Sequence, residues 1–196
     1  MLPKLTLRTR LVLLIHRAEA RKSTNTGLLA ARCVEGAAVH VRGEQDAEPT
    51  QRIEVPAPLL LYPAPDAAPL ETLPPSADPV TLIVPDGNWR QAAKMRKRVS
   101  GLDAIPCVRV AAPLAHTYRL RRESNEQHMA TLEAIAHALA VLEGDPSVRD
   151  ALLRPLHAMI DRTLWSRGLL PAHRVRGGLP EGVKPHDPRG AAERLS

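Results

Sequence analysis

One stretch of the chain, Val84-Pro85-Asp86-Gly87-Asn88-Trp89-Arg90-Gln91, concentrates residue types that do chemistry. It follows an aliphatic run of strand length, so Asp86 falls at the carboxyl end of a buried strand, where open α/β sheets put their ligands. Pro-Asp-Gly makes a turn, and Asn88 is a good N-cap for a helix starting at Trp89. Along that helix Trp89, Ala92 and Ala93 form a small apolar face. Arg90, Lys94, Lys97 and Arg98 recur at helical spacing as a basic stripe, fit for phosphates or simply solvated. An Asp placed this way can accept a proton or orient a substrate N–H, or it can only stiffen the turn. As a base it is weak unless its site raises the ordinary pKa of about 3.9.

Two further segments carry similar signals. Tyr118-Arg119-Leu120-Arg121-Arg122 sets three cations beside a ring that can stack on a base. The alternative is a core tyrosine with surface arginines. Downstream, Thr131 opens a helical pattern, where its hydroxyl can cap the helix or meet a ligand oxygen. Capping is the commoner role. The other segment, His16 to Gly27, brings His16, Lys22 and several amide and hydroxyl groups to the end of the first strand. A single His there is more often hydrogen-bonded structure. Between Gly87 and Arg122 nine Lys or Arg stand against one acid, Asp103.

The elements that must position these residues are short aliphatic runs alternating with helical patterns. Leu11–Ile15, Ala38–Val41, Leu59–Tyr62, Val80–Val84 and Cys107–Val110 have strand length. Their near-continuous apolar character predicts strands buried on both faces of a mainly parallel sheet. With helices between them the class is α/β. Thr26-Gly27 opens a short helix over Leu28–Cys33. Leu132, Ile135, Ala136 and Leu139 mark a helix over Thr131–Leu142. Asp145-Pro146 reads as N-cap and first-turn proline of another, with Leu152, Leu156, Met159 and Ile160 on one face and a kink at Pro155. Gly43–Thr50 reads as a polar loop. Pro56–Pro79 holds eight prolines in 24 residues, which argues against regular structure there outside Leu59–Tyr62. Residues 1–172 read as one domain and 173–196 as a basic, flexible tail.

Composition narrows the function classes. The 196 residues are 44% hydrophobic yet include no Phe, so Leu, Val, Ile and Ala must pack the core. A net charge of +6 favours a polyanionic partner such as RNA, or only solubility. Two distant cysteines, with no C-x-x-C, fit a reducing cytoplasm better than a disulfide framework. The eight histidines show no metal-binding spacing. No run is long enough to span a membrane.

Taken in order, His16–Glu19, Lys22–Gly27, Asp86–Met95, Tyr118–Arg122 and Ala130–Ala136 resemble the motifs of the DTW-domain family. Those motifs are a His-Pro-x-Glu stretch, a Lys-x-Thr-Asn-Thr-Gly element, the Asp-x-Thr-Trp signature opening a helix, a Tyr-x-Leu-Arg-Arg stretch, and a Ser-Thr-Leu-Glu-Ala-Ile-Ala helix start. The likeness runs over residues 11 to 165. It departs at Asn88, where the family has Thr, at Arg17 for Pro, and at Ala130 for Ser. The amino-terminal cysteine cluster of some members is absent. If position 88 caps the helix, Thr to Asn preserves the chemistry.

The resemblance implies a SPOUT-like fold with a knotted C-terminal region that binds S-adenosylmethionine (SAM). It also implies transfer of SAM's 3-amino-3-carboxypropyl group to N3 of a tRNA uridine, with release of methylthioadenosine. Asp86 would act on the uracil N3–H or orient the base; the alternatives are that it holds SAM's ammonium or only stiffens the turn. Donor contacts would come from Asn88, Trp89, Ala111, Pro113, Leu114, Tyr118, Leu120 and Thr131, the Trp89 ring lying against the thioether arm. Phosphates would be held by Lys22, Arg90, Lys94, Lys97, Arg98, Arg119, Arg121 and Arg122. Residue types leave open a SPOUT-like RNA methyltransferase, an RNA-binding protein without catalysis, or a structural protein with a solvated basic face.

Overall fold

The computed structural model describes residues 2–42, 53–74, 78–111 and 129–184. Six strands, β1 (Arg10–His16), β2 (Ala38–Arg42), β3 (Pro58–Leu61), β4 (Ala68–Pro69), β5 (Thr81–Asp86) and β6 (Cys107–Arg109), form one sheet. Their order is β2-β1-β5-β3-β6-β4, and every pairing is parallel. The helices are α1 (Arg17–Ala20), α2 (Thr26–Cys33), α3 (Trp89–Arg98), α4 (Thr131–Glu143) and α5 (Pro146–Ser166). The class is therefore α/β with a parallel sheet flanked by helices, as the aliphatic runs predict. The described residues do not trace the implied knot, and the Gly43–Thr50 loop lies outside them.

Alternation along the strands divides the core into two layers. Leu11, Leu13 and Ile15 of β1, with Leu82 and Val84 of β5, pack against residues of α2, α4 and α5. Val12, Leu14 and Ile83 face the other way, against Met95 and Val99 at α3. A period of two thus assigns each strand residue to a layer. Asp86 continues the series Leu82, Val84 and so turns toward α2 and α4.

Ile15 of β1 is in register with Asp86 of β5. These two neighbouring strands feed opposite halves of the sheet, β1 toward β2 and β5 toward β6. The carboxyl ends of β1 and β5 therefore frame a topological switch point, the general ligand site of open α/β sheets.

One expectation fails in the proline-rich segment. Ala68–Pro69 pairs with β6, and Leu70–Thr72 makes a 3-10 turn. Proline is tolerated there because β4 is the edge strand, where a missing N–H removes no ladder bond on the open side. The start of the expected tail is fastened down: Val175 is buried. Arg176 bonds Asp161 of α5 through Nε at 2.6 Å and Nη2 at 2.8 Å. No helix among the described residues is long and apolar enough to cross a membrane.

Candidate active site

Asp86 is 5% exposed and its carboxylate joins three parts of the chain. Oδ2 accepts a hydrogen bond from Asn25 Nδ2 at 2.7 Å, and Oδ1 accepts one from Thr131 Oγ1 at 2.5 Å. Asn25 is at the same time the N-cap of α2, its Oδ1 accepting from the Leu28 N–H at 2.7 Å. That second bond fixes which end of the amide faces Asp86, because only the NH2 end donates. Thr131 is the first residue of α4. The carboxylate thus sits between the amino ends of two helices, where partial positive charge favours an anion.

Gly27 completes the arrangement by being small. A Cβ there would lie 2.8 Å from Asp86 Oδ2 and 2.9 Å from its Cγ, so only glycine lets α2 approach this closely.

Thr131 departs from the capping role expected of it. The N-cap of α4 is Ala130, whose N–H donates to Glu133 Oε2 at 2.9 Å, and the Thr131 hydroxyl is spent on Asp86. Asn88 caps α3 as its residue type predicts. Its Oδ1 accepts from the Gln91 N–H at 2.9 Å, and Gln91 Oε1 accepts from the Asn88 N–H at 2.7 Å. This reciprocal box satisfies two amino-terminal N–H groups. Gly87 leaves room for it, since a Cβ would stand 2.9 Å from Gln91 Cβ. Gln91 Nε2 also lies 3.1 Å from His16 Nδ1, which accepts from the Ala18 N–H as the cap of α1. His16 is hydrogen-bonded structure that ties β1 to α3.

Around Asp86 opens a cleft of about 650 Å³, within the usual range for small-molecule sites. Its walls include Glu19, Lys22, Asn25, Tyr62, Trp89 and Thr131. Trp89 is 55% exposed at the rim rather than on an apolar helix face, which Ala92 and Met95 supply instead. Its ring meets Tyr62 edge-on, centroids 6.4 Å apart, and the Arg96 guanidinium lies 5.7 Å over the Tyr62 ring. Arg90, Lys94, Lys97 and Arg98 are exposed along α3. Lys22 is exposed and paired with Glu19.

Ala111 does not line the cleft; its N–H donates to Glu71 Oε1 at 3.1 Å. Pro113, Leu114, Tyr118, Arg119, Leu120, Arg121 and Arg122 lie outside the described residues. Reasoning from sequence passed over Glu19, Asn25 and Tyr62 as individual site residues. Asn25 was visible inside the Lys-x-Thr-Asn-Thr-Gly element, and Tyr62 as one of only two tyrosines. Both cysteines are buried, and burial pushes their thiols up, which suits packing rather than nucleophilic chemistry. Among the described residues no group of His, Cys, Asp or Glu is disposed to hold a metal.

The DTW-domain family model matches residues 1–164. The chain belongs to the DTW-domain family. It is similar to a Drosophila melanogaster protein named tRNA-uridine aminocarboxypropyltransferase 2, at 35% identity over 158 residues, 77% of this chain and 63% of that protein. Proteins of the same name from Macaca fascicularis and Mus musculus are 29% and 30% identical, over 92% and 77% of this chain. The chain spans 53 to 64% of the length of these DTW relatives. No solved structure gives a significant match. Within the family pattern, the Asp of the signature, the Asn of the Thr-Asn-Thr-Gly element and the Thr of the α4 start are the residues joined at Asp86.

Proposed function

We propose that this protein transfers the 3-amino-3-carboxypropyl group of SAM to N3 of a uridine in tRNA. The observation that carries the reading is the junction at Asp86, which draws three family motifs onto one carboxylate in a cleft at the sheet's switch point. SAM, when bound, supplies a sulfonium whose γ-carbon is open to displacement. The cleft's residue types suit such a donor: a mixed polar and apolar wall, two aromatic rings and two carboxylates.

The chain's own residues divide the work. A carboxylate has about four acceptor sites, and Asp86 uses two of them on Asn25 and Thr131. The remaining sites can take the uracil N3–H and orient it, with the anchor held rigid by both helix ends. As N3 takes the γ-carbon its proton passes to Asp86 or to water, and a positioned group that accepts it contributes about 10²–10⁴-fold. Asp86 is poorly used against the sulfonium, because stabilising a charge that the transition state loses opposes the reaction. Trp89, at the rim, closes the donor side with apolar and cation–π contact, the latter about 0.5–2 kcal/mol. The basic face of α3 beside the cleft holds tRNA phosphates, and the chemistry proceeds in the cytoplasm.

The by-product decides between this reading and methyl transfer. Incubation with SAM and unmodified tRNA yields methylthioadenosine on this account. S-adenosylhomocysteine in its place makes the protein a methyltransferase, and absence of both makes it a binding protein.

A further inference from the structure

Besides Asp86, one other carboxylate lines the cleft among the described residues, that of Glu19. Its side chain is only 12% exposed, and Oε1 lies 2.6 Å from the Lys22 ammonium, whose own side chain is 48% exposed. The Lys22 N–H donates to the Glu19 carbonyl at 3.0 Å, so a backbone turn sets the two charges side by side. Ion pairs at this sequence spacing usually lie on solvated helix surfaces and are weak. This one is different, because its anion is withdrawn from water into a binding cleft and its cation is a flexible surface chain. A mostly buried carboxylate requires a cationic partner, but nothing requires that partner to be Lys22.

We propose that Glu19 and Lys22 form the subsite for the zwitterionic amino-acid end of the donor. This rests on the reading of SAM as donor given above. The substrate ammonium takes the place at Glu19 now held by Lys22 Nζ, and the freed lysine turns to the substrate carboxylate on the same α-carbon. One ion pair is exchanged for two, and neither charge is left alone at any stage. On the reading above Asp86 is engaged elsewhere: two of its acceptor sites hold Asn25 and Thr131, and the others take the uracil N3–H. The subsite grips the part of the donor that is transferred, so the γ-carbon is held while its bond to sulfur is broken. It also moves Lys22 from phosphate contact to donor contact.

Calorimetric titration of the full chain and two variants with SAM, decarboxylated SAM and methylthioadenosine tests the proposal. Methylthioadenosine lacks the ammonium, the carboxylate and the sulfonium charge, and decarboxylated SAM lacks only the carboxylate. Glu19→Gln is expected to weaken SAM and decarboxylated SAM about tenfold or more, the loss of a charge-assisted contact, with methylthioadenosine within about twofold of wild type. Lys22→Met is expected to weaken SAM but not decarboxylated SAM, which gains from an uncontested Glu19. Equal losses for all three ligands in both variants, or no losses, overturn the subsite while leaving the donor reading in place. A wild-type protein that binds none of the three overturns the donor reading, and the subsite falls with it. Should Glu19→Gln not fold, the ratio of SAM to decarboxylated SAM affinity in Lys22→Met decides alone.

Discussion

Gly27→Ala probes the junction at Asp86 through a single methyl group. Gly27 is the second residue of α2, where Ala gains at most the roughly 0.8–1.0 kcal/mol it has over Gly in a helix interior. On helix propensity alone the substitution stabilises. The structure reverses that sign. The new Cβ would stand 2.8 Å from Asp86 Oδ2 and 3.1 Å from Leu13 Cδ1. A long side chain would swing aside, but the Asp86 carboxylate is short and bonded on both oxygens. Relief therefore requires α2 to retreat or the bond to Asn25 to stretch. Overpacking of this kind costs about 1–3 kcal/mol, and a weakened bond to a charged group adds part of its roughly 1.5–3 kcal/mol. The net expectation is destabilisation of about 1–3 kcal/mol, after the propensity gain is subtracted. For a chain of this size that lowers Tm by about 2–4 °C per kcal/mol. Urea unfolding of wild type, Gly27→Ala, Asp86→Ala and the double variant measures it. In the Asp86→Ala background only the 3.1 Å approach to Leu13 Cδ1 remains, so the same substitution costs less, a coupling of about 1 kcal/mol or more. A neutral or stabilising Gly27→Ala in the wild-type background would mean that α2 does not press on the Asp86 carboxylate.

Asn88→Thr is expected to keep stability and turnover near wild type, whereas Asn88→Ala loses about 0.5–2 kcal/mol in urea unfolding through the lost cap; a large rise in turnover for the Thr variant contradicts a capping role. Neutralising Lys94 and Lys97 is expected to raise KM for tRNA without changing SAM affinity, and to reduce the slope of log K against log salt by about 0.7–0.9 per contact. An unchanged slope makes that face a solvated surface. Stability is expected to fall with acid in two stages. Burial, and then nearby arginines, hold His40, His137 and His157 below the ordinary imidazole range. Such lowered groups contribute stability that is full above about pH 6.5 and is lost as pH falls below it. The bonded Arg176 holds Asp161 below the usual carboxylate range. Burial raises Glu143, but bonds from Thr9 and Arg8 outweigh it and hold it low. Both contributions are lost as pH falls below about 4. Urea unfolding at pH 7.5, 5.5 and 3.5 checks this, and a flat profile contradicts it.

How far the sequence could be read depended on the range of each interaction. β1 and β5 are legible because an uninterrupted aliphatic run of strand length is a local signal. The cap at Asn88 is legible because both halves of the box are three residues apart. β4 was missed because two residues at a sheet edge leave no pattern, and proline density pointed the other way. Thr131 reads in the sequence as a cap or a ligand contact, capping being the commoner, because its real partner, Asp86, is 45 residues away. Asn25 reaches Asp86 across 61 residues, a pairing only the fold creates. The period of two puts Asp86 on the side of Leu82 and Val84, but only the fold decides that this side carries α2 and α4. Glu19 escaped notice because its burial follows from packing around the cleft rather than from its neighbours in sequence.

Two preparations of SAM, one isotopically labelled in the methyl group and one in the aminocarboxypropyl carbons, separate aminocarboxypropyl from methyl transfer. Each is incubated with the protein and unmodified tRNA, and the nucleosides are then separated and weighed by mass spectrometry. Aminocarboxypropyl transfer predicts a uridine that gains mass from the aminocarboxypropyl label, carries none of the methyl label, and appears with an equal amount of methylthioadenosine. A nucleoside carrying the methyl label, or tRNA that binds the protein yet remains unlabelled from either donor, contradicts it.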